Sequence, residues 1–159
     1  MSNLDLAMLC AVGCGLVAGF FFGFSICVMK ALGKLPPEQG IAAMQSINVV
    51  VINPWFLTAF FGTAVACKFL MVTSLLRGAD PRASYWLVGG LLYLVGTVLV
   101  TRLFNVPRNN ALAILAPTSL EATELWVDYL STWTAWNHVR TMAALASAVL
   151  FTIAVRLRP

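Results

Sequence analysis

The segment Trp133-Thr-Ala-Trp136-Asn137-His138-Val-Arg140-Thr141 brings together an imidazole, a guanidinium, an amide and two indoles. His138 is the single histidine of the chain, and its type has an unperturbed pKa near neutrality, so proton transfer is the chemistry to expect of it. Arg140 offers a fixed set of donors for an anion or a developing oxyanion. Asn137 adds a donor and an acceptor, and Trp133 and Trp136 offer flat surfaces for a flat ligand. At the helical period Trp133, Asn137 and Arg140 share a face, whereas His138 and Arg140 lie about 200° apart. They need not serve one site.

Further polar residues stand in two other stretches. Gln45, Asn48 and Asn53 sit in an otherwise apolar segment, and Asn105, Arg108, Asn109 and Asn110 follow a long apolar run. Plain readings stand beside the functional ones. The tryptophans could form an interfacial aromatic belt, Arg140 could reach to headgroups, and His138 could be a hydrogen-bonded structural residue at a helix start.

Positioning these residues requires helices that cross a membrane. Hydrophobic residues make up 60% of the 159-residue chain and charged ones 10%, and the apolar residues come in blocks. A hydrocarbon core of roughly 30 Å takes about 20 apolar helical residues. Four blocks are long enough: about Leu4 to Met29, Trp55 to Leu76, Tyr85 to Leu103 and Ala135 to Val155. Each must be helical, since unpaired backbone groups are costly in lipid. The fold expected is all-α, a membrane-embedded four-helix transmembrane bundle with one or two short interfacial helices, forming a single domain over 1–159. The first block has no basic n-region and is too long for a signal peptide, so it is expected to stay.

Local signals place the ends. Asn53-Pro54 reads as an N-cap with proline at the first helical position. Pro36-Pro37-Glu38 opens a short helix at or dipping into the interface. Pro107 argues against simple continuation of the third helix. Thr118-Ser119-Leu-Glu121 resembles a capping box, followed by the stripe Trp126, Tyr129, Leu130 and Trp133. Glu121, Glu124 and Asp128 lie along another face and read as solvated. With four crossings, the two longer connections share one side of the bilayer, and every polar residue named above is delivered there. A polar pocket between the helices is the economical explanation.

Basic residues divide evenly between the sides: Arg77, Arg82, Arg156 and Arg158 against Lys30, Lys34, Arg102 and Arg108. Cytoplasmic termini, in a bacterial cell (inner) membrane, are the expectation taken forward. The net charge of +4 suits anionic headgroups, and no basic stripe calls for nucleic acid. Lys68, mid-way along the second block, reads as a snorkelling side chain. Cys10, Cys14, Cys27 and Cys67 form no ligand spacing, so no metal site is expected and the cysteines read as small packing residues. Gly13-x-Gly15-x-x-x-Gly19 and Gly89-Gly90 would allow close helix contacts within the chain or in a homo-oligomer.

These residues carry a resemblance. Phe24-Ser25 with Val28-Met29-Lys30-Ala31-Leu32 and Leu35-Pro36, Ala43-Met44-Gln45-x-Ile47-Asn48 with Asn53-Pro54, Asn105-Val-Pro107-x-Asn109-x-Ala111-Leu112, and Trp133-x-x-Trp136-Asn137-His138-Val-Arg140-Thr141 together resemble the anthrone oxygenase-like family of small integral membrane proteins. The resemblance implies oxidation of an anthrone-type polyphenol to a quinone by molecular oxygen, with neither flavin nor a required metal. The sequence has no dinucleotide fingerprint. On that footing His138 would act as base, with Arg140 and Asn137 beside it in the catalytic group. Arg140 and the amides of Asn105, Asn109 and Asn137 would stabilise the enolate and developing superoxide, and Trp133 and Trp136 would stack on the substrate; Asn48, Asn53 and Arg108 complete the expected binding set. Two alternatives stay open. One is a non-catalytic membrane subunit binding a quinone, lipid or haem, with His138 as axial ligand in the haem case; the other, transport, lacks an inverted repeat.

Overall fold

The computed structural model describes residues 2–76 and 80–157, and Arg77 and Arg158 of the charge count lie outside them. Five helices account for the described chain: α1 (Asn3–Leu32), α2 (Pro37–Val50), α3 (Pro54–Leu76), α4 (Ala83–Ala113) and α5 (Leu120–Arg156). α1, α3, α4 and α5 are long and apolar enough to cross a membrane, and they alternate in direction as an up-down-up-down bundle. This is an all-α integral membrane protein. α1 and α5 pack along much of their lengths, and α3 and α4 pair beside them.

Three helices outrun the bilayer at the same end. At 30, 31 and 37 residues, α1, α4 and α5 measure about 45, 46 and 55 Å at 1.5 Å per residue, against a hydrocarbon core of about 30 Å. Counting about 20 residues back from Arg156 brings the membrane surface near Trp136. The excess lengths, with α2 laid across them, form a second layer whose core is Met29, Leu32, Ile41, Met44, Leu112, Ala122, Trp126, Tyr129 and Trp133. The bilayer-level core is separate and contains Cys10, Cys14, Cys67, Tyr93 and Phe151.

Two boundaries differ from the sequence reading. Pro107 does not end α4, which runs on to Ala113. The reason is a widened backbone: Thr101–Asn105 is π-helical, Val106 N–H reaches Thr101 O, and Pro107 enters a fresh α-helical turn near its start. An α turn would have set the proline ring against a carbonyl. The aromatic stripe and the fourth span form one 37-residue rod, so α2 is the short interfacial helix of the expected one or two. The cap of α5 is Ser119, whose Oγ accepts from Ala122 N at 3.1 Å, so the expected box from Thr118 is displaced by one residue.

Packing details follow the small residues. A side chain at Gly89 would meet the Phe151 ring at 3.2 Å and one at Gly90 would meet Met71 Cβ at 3.0 Å, whereas Gly15 and Gly19 face open space. Cys14 Sγ lies 3.9 Å from Cys67 Sγ and 3.3 Å from Ser147 Oγ, and Ser147 Oγ donates to Gly89 O at 2.7 Å. Lys68 is exposed on the bundle's outer face. Beyond the α3 end, Arg82 is ion-paired with Asp80 at 2.8 Å, which holds its pKa above the ordinary arginine value.

Candidate functional site

Where the two layers meet, the bundle encloses a cavity of about 260 Å³. α1 contributes Phe20, Phe21 and Phe24; α2 and its exit contribute Met44, Ile47, Asn48, Val51 and Ile52; α3 adds Phe56, Leu57, Phe60 and Phe61. Thr101, Val106 and Asn109 come from α4, and Trp133 and Arg140 from α5. Seven of these side chains are aromatic, a composition matched to a flat apolar guest.

π-helical turns set this geometry. α1 widens at Phe24–Val28, α3 at Thr58–Gly62 and α4 at Leu92–Leu99 and again at Thr101–Asn105. Three of the four spans therefore depart from α geometry, all with widened turns at or beside the cavity wall, a placement often associated with functional sites. Such turns disturb the backbone ladder, and side chains bind carbonyls in and beside them. Asn137 Nδ2 donates to Phe21 O at 2.6 Å, Tyr93 Oη to Phe60 O at 3.1 Å, and Arg108 Nη1 to Phe104 O at 2.8 Å.

Arg140 is 4% exposed. Its Nη2 donates to Asn137 Oδ1 at 2.5 Å and its Nη1 to Thr101 Oγ1 at 3.3 Å, while its Nε is buried without a partner. The guanidinium lies 4.0 Å from the Phe21 ring centroid and 5.1 Å from that of Trp133. Ring faces attract a cation, though far less than a carboxylate would. Among the described residues the ion pair found is Arg82 with Asp80, so no acidic side chain answers Arg140. The wall of an apolar cavity thus holds a buried cation with no acidic partner among the described residues.

Asn137 fixes that cation. It is fully buried, and its Nδ2 also donates to Ser25 Oγ at 2.6 Å, so its amide is oriented by α1 and presents Oδ1 to Arg140. Asn109 Oδ1 accepts from Tyr129 Oη at 2.8 Å and from Trp133 Nε1 at 2.7 Å, which holds the Trp133 indole at the wall. Asn48 lines the cavity and its Nδ2 is buried without a partner.

The remaining expected residues stand apart from the cavity. His138 is exposed and is absent from the cavity lining, as its angular separation from Arg140 along one helix requires. The expected convergence of His138 with Arg140 is therefore not met in this geometry. Asn53 is the N-cap of α3, its Oδ1 accepting from Trp55 N and Phe56 N at 3.1 Å each, which fixes the corner from which Phe56 and Leu57 face inward. Asn105 Nδ2 donates to Trp133 O at 3.1 Å. Arg108 Nε donates to Thr132 Oγ1 at 3.0 Å. Trp136 stacks on Phe104 with centroids 3.6 Å apart. Gln45 bridges the Leu112 and Leu115 carbonyls at 2.8 and 3.0 Å, and Asn110 is exposed.

Sequence reasoning missed the phenylalanine walls and Thr101. A usable signal existed, since Phe20-Phe21-Phe22-Gly-Phe24 and Phe56 to Phe61 both lie toward the end of the bundle where the polar residues gather.

No curated protein and no solved structure matches the chain. A family model described as anthrone oxygenase matches residues 55–150, a stretch that takes in α3, α4 and most of α5, with Thr101, Asn109, Trp133, Asn137 and Arg140 inside it. With more than half of its length so matched, the chain belongs to the anthrone oxygenase family.

Proposed function

We propose that this protein is a membrane-embedded oxygenase that oxidises a flat, hydrophobic polyphenol of the anthrone type with molecular oxygen. The observation that carries the reading is Arg140, a buried cation with no acidic partner among the described residues, in the wall of an aromatic cavity. Family membership agrees with it.

The reaction balances as follows. The substrate loses a proton and becomes an enolate whose oxygen faces the Arg140 donors. One electron passes from the electron-rich ring system to dioxygen, and the radical and superoxide so formed combine at the former methylene carbon. Protonation gives a hydroperoxide, which loses water. The CH₂ group becomes C=O, with one atom of dioxygen in the quinone and the other in water. Negative charge is present at every step until protonation, first on the enolate and then on superoxide and peroxide. A preorganised cation in a site of low polarity stabilises such charge most effectively. Phe21 and Trp133 flank the guanidinium, so a ring held against them brings its oxygen substituent to it. His138, exposed and outside the cavity, takes no part in this reading.

The test is oxygen uptake and quinone absorbance when a simple anthrone is added to the detergent-purified protein. Arg140→Met is expected to lower kcat/KM by at least about a hundredfold, the scale for removing one oxyanion donor. Binding of anthrone or quinone without any uptake would reassign the chain as a binding subunit.

A further inference from the structure

The cavity supplies a cation and nothing to take a proton. Among the residues that line it, Arg140 is the ionisable one; the others are apolar or aromatic side chains, Thr101 and the two amides of Asn48 and Asn109. The groups facing Arg140 are Asn137 on its own helix, Phe21 from α1, Thr101 from α4 and the Trp133 ring. Tyr129 is the titratable side chain near enough to interact with it, and its hydroxyl already donates to Asn109 Oδ1 at 2.8 Å. A general base must come within hydrogen-bond reach of the proton it removes. None of the lining side chains is suited to that task.

We propose that the cavity binds its ligand as a preformed planar phenolate, with Arg140 selecting the ionised over the neutral phenol. The proposal takes its ligand class from the oxygenase reading but needs no turnover. The step is a simple acid dissociation, ArOH to ArO⁻ and H⁺. The proton passes to water at the membrane surface before docking, and no electron moves. The cavity's position suits this order of events. Ile52, Phe61 and Phe20 line it and are also exposed on the outer surface, so the cavity reaches the outside of the bundle near the level where the two layers meet. A neutral phenol would leave the guanidinium charge unanswered in an apolar site, whereas the phenolate neutralises it where screening is weak. The aromatic walls favour a flat ring over the acyl chain of a fatty acid, which is the other anion that could arrive from the bilayer.

The experiment uses 4-nitro-1-naphthol, whose neutral and ionised forms absorb at different wavelengths. It is titrated without oxygen into the detergent-solubilised full chain, one pH unit below the probe's own pKa. In solution about a tenth of the probe is ionised there. The bound probe should carry the phenolate band almost completely, and its apparent affinity should fall about tenfold for each further unit of pH decrease, because the competent form becomes that much rarer. Arg140→Lys should keep the phenolate band and Arg140→Met should lose it. A neutral bound probe in the unmodified protein would overturn the proposal. So would a phenolate band that depends on His138, tested with His138→Ala, or a site that oleate fills and the naphthol does not. The measurement excludes oxygen, so failure to turn over an anthrone leaves its outcome intact, and the two readings fail separately.

Discussion

Asn137 Oδ1 accepts from Arg140 Nη2 at 2.5 Å, one helical turn apart on α5, while Asn137 Nδ2 is anchored to Phe21 O and Ser25 Oγ on α1. The amide therefore ties the cation to the neighbouring helix without neutralising it. Asn137→Asp would place a carboxylate where the amide oxygen stands. It is expected to pair with Arg140 and cancel the cavity's demand for an anion, weakening phenolate binding by tenfold or more, about 1.4 kcal/mol at least. Naphthol titration checks this. Unchanged affinity would mean that Arg140 does not hold the ligand's charge.

Asn109 has a structural duty besides lining the cavity. Asn109→Leu would leave the Tyr129 hydroxyl and the Trp133 indole N–H without their shared acceptor. At about 1–3 kcal/mol for each buried donor left unpaired, a clear drop in thermal stability in detergent is expected. Asn109→Asp keeps an acceptor for both and should retain most of that stability.

Asn48 should show the opposite balance. Its Nδ2 is buried without a partner, so Asn48→Leu removes an unmet donor and is expected to raise thermal stability by up to about 1 kcal/mol. The same change should weaken ligands carrying a second oxygen function. Loss of stability and unchanged affinity together would show that the amide serves packing alone.

Gly40 lets α2 approach the bundle. A Cβ there would stand 2.8 Å from Leu32 O and 3.1 Å from the Trp126 ring, so Gly40→Ala should push α2 outward and loosen the wall made by Met44, Ile47 and Asn48. Ligand affinity should fall with little change in helix content by circular dichroism. Gly15→Ala, where the added carbon meets open space, should leave the affinity as it was.

Much of this was legible in the sequence, and the rest was hidden for identifiable reasons. The four apolar blocks, the Asn53-Pro54 start and the short helix from Pro37 follow from length, capping and proline rules, and each is present. Trp133, Asn109, Asn48 and Arg140 do reach one cavity. The displacement of His138 from it was implicit in the 200° count along a regular helix. What could not be counted was the register of α1, α3 and α4. A π-helical turn shifts every later residue around the axis, so face assignments from a 3.6 period fail beyond Phe24, Thr58 and Leu92. Phe60 and Phe61 lie within such a turn and Phe24 opens one, whereas Phe20, Phe21 and Phe56 precede the widened turns and were open to counting.

The widened turns of α1, α3 and α4 act as hidden insertions. Each adds about one residue to a helix without adding a loop, and so rotates everything downstream by about 100°. Removing a single residue from Phe24–Val28 would let α1 close into an uninterrupted α-helix while Met29 and Leu32 keep their places in the upper core. The chain would remain helical, span the bilayer and keep its two layers in register, and the change would be confined to the wall at the widened turn. Length variation of one residue at these three places is thus a way to alter the cavity's shape while leaving the transmembrane scaffold unbroken.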